Sequence, residues 1–278
     1  MNLDAARIVL RPRSISELFD LALRVMTGPA AKLFAKLGAL SLAPALGLCV
    51  AARWGLGWSW GLVWLLALVL FAPIQGLYTV AVSRLMFADE VGVGEVLRHF
   101  LRRSPAYLGA LIVAWLMIGG LGLVGGFLLV PPFWMWGRCA HVHEACLLEQ
   151  AGPIDAVRRA GRMVTGHVTS TVGLLLLLTL AAGGFVLIGE TLLNDGLLKF
   201  VLQLGRPFGA LFDAGGSIPA LVGLAFAVPY WATVRFLAYI DLRTRRDGWD
   251  VQLRFMAIAA RAAEANEHGL EQPEGGAA

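Results

Sequence analysis

The residues best suited to chemistry are soft metal ligands in a short run near the middle of the chain. Cys139, His143 and Cys146 are spaced i, i+4 and i+7, so on one continuous helix they would share a face. Three such ligands could hold zinc or another soft metal, but the sequence places no fourth ligand beside them. A free cysteine is also an ordinary small apolar residue of a buried helix. We favour this second interpretation and expect no metal and no cofactor.

Charged residues inside apolar segments are functional candidates, because burying a charge in hydrocarbon is costly. Those present here are predicted near segment ends, where a long side chain can reach the interface. They are Arg84, Arg138, Glu190 and Arg235. No series of Asp, Glu or His residues crosses the middle of the predicted membrane segments, which argues against a proton-coupled transporter. The sequence also contains no nucleophile and base, and no pair of carboxylates, at a depth that would predict an enzyme. A facilitator that uses Gln75, Tyr78 and Thr79 beside Pro73 is an alternative.

Arginines beside the apolar segments form a candidate surface for lipid headgroups. Short stretches that combine an apolar face with arginines precede pairs of apolar segments. Such a helix can lie in the headgroup layer, where each basic residue gains roughly 1 kcal/mol near an anionic leaflet. The alternative is a linker helix packed on the bundle. The predicted headgroup residues are Arg24, Arg98, Arg102, Arg103, Arg158, Arg159, Arg162, Arg243, Arg245 and Arg246.

Composition determines the class of protein. Of the 278 residues, 58% are hydrophobic and 15% charged, which excludes a soluble globular enzyme. Apolar runs of this length must be helical, because an unpaired backbone group in hydrocarbon costs several kcal/mol. We predict six transmembrane helices, at Lys32–Arg53, Ser59–Arg84, Pro105–Phe127, Val130–Leu148, Val168–Glu190 and Ile218–Tyr239.

The distribution of positive charge predicts the orientation. Under the six-helix model, 20 of the 23 Lys and Arg residues fall on one side, and only Arg53, Lys199 and Arg206 on the other. Positive residues accumulate in cytoplasmic loops, so both termini are predicted to be cytoplasmic. The basic runs lack the interleaved aromatic residues of a nucleic-acid platform, which argues against nucleic acid as a partner.

A weak internal repeat organises the helices. Residues 17–28 and 155–166 align without gaps and share an acid, an Arg seven residues later and a terminal Thr-Gly, and residues 95–103 keep the acid and the Arg. Each copy precedes a pair of predicted spans, and the second span of each pair carries proline. The repeats are therefore predicted to be parallel, at about 14–88, 92–150 and 153–242.

One motif resembles a known family. Residues 149–160, EQAGPIDAVRRA, are similar to the E-x-x-G-P-x-x-A-x-x-R-S signature of bacterial proteins that resemble the membrane domain of glycerophosphoryl diester phosphodiesterases, with Ala160 in place of Ser. Residues 11–20 and 239–250 resemble the ends of the same domain. The resemblance implies a bacterial inner-membrane module. The catalytic barrel would need some 200 further residues, so phosphodiesterase activity is not carried over.

These observations predict an all-α polytopic membrane bundle of three parallel repeats, each an amphipathic helix followed by a transmembrane hairpin. One membrane domain would cover residues 1–261, with a flexible tail at 262–278, and Asn194–Ser217 would form an amphipathic helix on the outer face. We expect a non-enzymatic scaffold or accessory subunit whose partners are membrane lipids and other membrane proteins or further copies of itself. The alternative is a channel or transporter for a small solute or lipid.

Overall fold

The protein is an all-helical bundle with one very short hairpin, as a computed structural model shows. The structure describes residues 13–86, 88, 91–124 and 130–247, so the predicted tail at 262–278 lies outside it. The helices are α1 Ile15–Thr27, α2 Ala31–Trp54, α3 Trp60–Leu85, α4 Val93–Val124, α5 Val130–Arg138, α6 Val142–Leu147, α7 Pro153–Met163, α8 Val168–Ile188, a π-helix Gly189–Val201 that continues α8, α9 Leu211–Ala214 and α10 Ile218–Asp247. Strands β1 Gly209–Ala210 and β2 Gly216–Ser217 pair antiparallel.

Within the described residues, five helical segments are long and apolar enough to cross a membrane, as expected for a multi-pass helical membrane protein. They are Ala31–Trp54, Trp60–Leu85, Val93–Leu123, Val168–Val201 and Ile218–Arg245. The predicted span Val130–Leu148 is not a single helix, because a turn at 139–141 separates α5 from α6.

The segment that contains α5 and α6 nevertheless runs back along α4. Pro132 lies beside Gly122 near the end of α4, at 4.0 Å from a Cβ placed there. Further on, His143 contacts Tyr107, and Gln150 accepts a hydrogen bond from Arg103, at 2.6 Å. Gly122 and Arg103 are 19 residues apart on α4, or about 28 Å along the helix axis.

Helix α10 lies at the centre of the bundle. In its most apolar window 78% of the residues are buried, against 22% in α4 and in α8, and it contacts α1, α2, α3 and α8. Glycines allow the closest of these approaches, since a Cβ on Gly223 of α10 would lie 2.2 Å from the Phe185 carbonyl oxygen of α8. Small residues serve the same purpose in other membrane helix pairs.

The two short amphipathic helices bury their apolar faces against other helices. In α1 Leu18, Ala22 and Val25 are buried, α1 packs on α10, and the Tyr230 hydroxyl donates to the Phe19 carbonyl at 3.3 Å. The corresponding side of α7 is buried on α4 and α6. Of the two predicted arrangements, the structure therefore shows helices packed on the bundle. The third predicted copy, at 95–103, is not a separate helix, because α4 continues through Pro105.

The segment predicted as an outer amphipathic helix, Asn194–Ser217, has a different structure. The π-helix extends to Val201, and residues 209–217 form the short hairpin. Glu190 organises this region: its carboxylate accepts from the Asn194 amide at 2.9 Å, from the Leu211 backbone at 3.0 Å and from the Ser217 hydroxyl. Glu190 is 3% exposed, so the prediction that it reaches the interface is wrong.

The close approach of α8 and α10 predicts a difference between two glycine substitutions. Gly223→Ala should lower the free energy of unfolding by about 1–3 kcal/mol, because the new methyl group meets a backbone oxygen that cannot rotate away. Gly184→Ala on α8 is the matched control, since nothing lies within 4 Å of its added Cβ. Thermal unfolding of the detergent-purified variants measures both, and equal melting temperatures would contradict the helix contact.

Candidate functional site

The candidate site is built around an arginine buried in the middle of the bundle. Arg235 of α10 has a side chain that is 8% exposed, with its Nη2 3.4 Å from Glu144 Oε2 of α6. The same nitrogen donates to the Ala140 carbonyl, and Nη1 donates to Gln75 Oε1 of α3 at 3.4 Å. Arg235 thus joins three helical segments. The prediction that it reaches the interface is wrong, because its acceptors lie inside the protein.

The turn between α5 and α6 supplies one acceptor. The last carbonyls of a helix have no partner within that helix, and the break after Arg138 places the Ala140 carbonyl in the interior, where Arg235 binds it. Glu144 follows one turn later on α6 and is fully buried.

A second connection links α3, α4 and α6 through Tyr107. Its hydroxyl lies 2.6 Å from His143 Nδ1 and 3.3 Å from the Ala72 carbonyl oxygen. The Tyr107 ring occupies the space beside Gly76, where a Cβ would lie 2.6 Å from ring carbons and would clash. Gly76 therefore makes room for the tyrosine to reach His143. We call the whole set the buried polar cluster: Gln75, Tyr107, His141, His143, Glu144 and Arg235.

The buried polar cluster is incompletely hydrogen-bonded. His141 Nδ1 lies 3.7 Å from Glu144 Oε2, which is too long for a hydrogen bond. Within the described part of the chain, His141 Nδ1, Glu144 Oε1 and Arg235 Nε have no hydrogen-bond partner. An unsatisfied buried polar atom costs about 1–3 kcal/mol. Buried charges inside a membrane bundle that are kept at such a cost are candidates for function.

A cleft opens above the buried polar cluster at the basic end, meaning the end that carries α1, α7 and the start of α4. Its volume is about 550 Å³, and Phe236, the neighbour of Arg235, lines it together with the ends of α3 and α10. Ion pairs surround it: Arg84 with Glu95, and Arg243 with Glu149 at 3.5 Å. Its cations are thus already matched by acids.

A second cavity lies on the other side of the buried polar cluster. It measures about 390 Å³ and is lined mainly by apolar residues of α3, α8 and α10, with Gln75 at its edge. The cavity and the cleft at the basic end share no lining residue, and along α10 Arg235 lies between the residues that line the one and those that line the other.

The three residues considered as metal ligands do not share one helix face. Cys139 lies in the turn outside α6, so it does not share a helix face with His143 and Cys146. The Nδ1 of His143 is engaged with Tyr107, and the Cys146 thiol donates to the Ala151 carbonyl at 3.5 Å. Across the ranges that the structure covers, no group of three or more His, Cys, Asp or Glu residues could hold a metal ion.

The predicted headgroup arginines lie at the basic end, and several have protein partners. Arg24 pairs with Asp20 at 2.9 Å, while Arg98, Arg102 and Arg162 are exposed. The remaining contacts are Arg103 with Gln150, Arg158 with Asp155 at 3.8 Å, Arg159 and Arg243 with Glu149, and Arg245 with Asp241 at 2.8 Å and with the Arg13 carbonyl. The side chain of Arg246 lies outside the described residues. Contact of these arginines with lipid headgroups stays a prediction.

Sequence reasoning missed the central pair of the site. Arg235 and Glu144 both fall inside predicted spans. Two opposite charges within spans could have indicated that the residues pair with each other. Comparison with family models, with curated proteins and with solved structures gives no match to this chain. The resemblance to the phosphodiesterase membrane domain therefore rests on its motifs alone.

The buried pair predicts a strong asymmetry between single and double substitution. Arg235→Leu should lower the free energy of unfolding by about 3–5 kcal/mol, because it leaves the Glu144 carboxylate buried without its cation. The double variant Arg235→Leu/Glu144→Leu should recover much of this loss. Arg24→Leu, which removes an exposed pair, is the control and should cost less than about 1 kcal/mol.

Thermal unfolding in detergent, followed by tryptophan fluorescence, measures all three variants. A double variant no more stable than Arg235→Leu would show that the two charges do not stabilise each other.

Proposed function

We propose that the chain crosses the membrane six times, with α5 and α6 together forming the fourth crossing. The contacts of residues 132–150 with α4 support this crossing, because they cover about 28 Å, close to the roughly 30 Å of a hydrocarbon core. Six crossings place both termini on the side that carries 20 of the 23 Lys and Arg residues, which we take to be the cytoplasmic side.

The proposed three repeats are supported by a cyclic pattern of contacts. Helix α1 of the first repeat packs on α10 of the third, and α7 of the third repeat packs on α4 and α6 of the second. The start of α4, in the second repeat, binds the end of α3 in the first through Arg84 and Glu95. Each repeat therefore places its first helical turns on the hairpin of the preceding one, and the pattern closes into a ring.

The proposed function is that of a non-enzymatic membrane scaffold or accessory subunit that engages lipid, as a module similar to the phosphodiesterase membrane domain without its barrel. One observation carries this proposal: the buried Arg235 is bound by Gln75, Ala140 and Glu144, whereas the apolar cavities are lined partly by exposed apolar residues. The cavity beside Gln75 has exposed leucines at its rim, among them Leu65 and Leu68, and a further crevice lies between α2 and α10.

A transporter or channel is the second candidate function. The observation that favours it is the pair of cavities on opposite sides of the Arg235 and Gln75 contact, since movement at that contact would join them. Alternating exposure of a central site is a general mode of transport.

The two functions predict different behaviour after purification and reconstitution. For the scaffold, native mass spectrometry of protein extracted in mild detergent should show retained phospholipid. Proteoliposomes should swell in glycerol or sorbitol at the rate of protein-free liposomes. Protein that carries no phospholipid and accelerates swelling, with a further acceleration in Gln75→Ala because the contact to Arg235 is removed, would overturn the scaffold and support transport.

A further inference from the structure

The crevice between α2 and α10 has the form of a site for one amphiphile. Its volume is about 410 Å³, within the range of about 300–1,000 Å³ that is usual for small-molecule sites. Along α2 its lining extends from Ala31 to Leu46, about 22 Å of helix, whereas one leaflet of the hydrocarbon core is about 15 Å thick. The crevice therefore begins at the basic end and continues past the depth of one leaflet.

The crevice is open to the membrane along one side. Ala35, Ala39 and Ala43 of α2 line it and are exposed, as is Phe226 on α10. Its floor is buried and includes Phe34 and Leu42. A row of alanines leaves a depression in the surface where larger side chains would fill it, and a flexible chain could lie in this depression.

Inside the crevice one polar group lacks a partner. Tyr78 of α3 lines the crevice and is fully buried, with its ring packed edge to face on Phe34. Its hydroxyl makes no hydrogen bond to any described residue. The Ser41 hydroxyl donates to the Leu37 carbonyl at 2.7 Å. An acceptor carried by a bound molecule would satisfy the Tyr78 hydroxyl.

Positive charge marks the end of the crevice at the first turns of α2. Lys32 and Lys36 are one turn apart, follow the crevice residues Ala31 and Ala35 in the sequence, and are both exposed. No ion pair involves either lysine in the described ranges, in contrast to Arg24, Arg84 and Arg243, which are paired with acids. Two ammonium groups that have no ion pair in the described residues match, near an apolar crevice, an anionic headgroup attached to an acyl chain.

We propose that the crevice between α2 and α10 binds one acyl chain of an anionic phospholipid, with its phosphate at Lys32 and Lys36 and an ester carbonyl accepting from the Tyr78 hydroxyl. This inference rests on the proposed lipid engagement and gives it a site. An apolar helix of a second protein fits the crevice less well, because it would leave the Tyr78 hydroxyl and both lysines without partners.

Native mass spectrometry tests the site with a defined probe. Full-length protein in detergent is titrated with palmitoyl-oleoyl phosphatidylglycerol or with phosphatidylcholine of the same chains. The wild type should bind one phosphatidylglycerol with clear preference. Ala39→Phe, which fills the crevice, should weaken this binding at least ten-fold, while Leu40→Phe, at an exposed neighbour that does not line the crevice, should not.

Two further variants test the polar contacts and do not depend on repacking. Lys32→Gln/Lys36→Gln should reduce the preference for phosphatidylglycerol over phosphatidylcholine roughly 10- to 30-fold. The control Lys199→Gln/Arg206→Gln removes the same charge from two exposed residues outside the predicted headgroup surface and should leave the preference unchanged. Tyr78→Phe should weaken binding of either lipid about five-fold, as expected for one hydrogen bond.

The outcomes separate this site from the broader proposal. Wild-type binding that is unchanged in both Ala39→Phe and the lysine variant would refute the crevice while leaving lipid engagement intact. A wild type that binds neither lipid would refute both. A wild-type dimer that Ala39→Phe converts to a monomer, with no change in lipid binding, would assign the crevice to a second copy of the chain and overturn the acyl-chain proposal.

Discussion

The need to satisfy one buried guanidinium constrains the whole bundle. A charge in an apolar interior must find partners, and Arg235 finds them on α3, on α6 and in the turn between α5 and α6. That turn must not become helical, because in a continuous helix the Ala140 carbonyl would accept a hydrogen bond from the helix backbone and would not be available to Arg235. The interruption that makes α5 and α6 short is therefore tied to the burial of Arg235.

Around this point the bundle is held together by close backbone approach more than by large side chains. Apolar side chains gain little by leaving lipid for protein, so contact area and backbone proximity decide which helices associate. Gly223 brings α10 against α8, and Gly76 admits the Tyr107 ring between α3 and α4. The polar contacts of Tyr107 and Arg235 then give the arrangement its specificity, because they exist only in one register of the helices.

The distribution of paired and free cations divides the basic end into two regions. Around the cleft, acids on neighbouring elements match the arginines, as Glu149 does for Arg159 and Arg243. Such pairs join the elements and leave little charge for an external anion. At the start of α2, Lys32 and Lys36 have no acid beside them in the described residues, and the neighbouring surface is apolar. The two regions therefore suit different tasks, one in joining helices and the other in contact with the membrane.

The sequence alone determined the class of protein, since apolar runs of this length and composition have only one stable form in a bilayer. It also located α1 and α7, whose periodic apolar faces are buried as their spacing required. Tertiary structure alone decided that α4 is continuous, that the segment 130–148 is broken, and that Glu190 and Arg235 lie inside the protein. Local sequence could not reveal these features, because each depends on a partner far along the chain: Arg235 is 91 residues from Glu144, and Glu190 is 27 residues from Ser217. Hydropathy records the cost of burying a charge, whereas only the folded chain shows what offsets it.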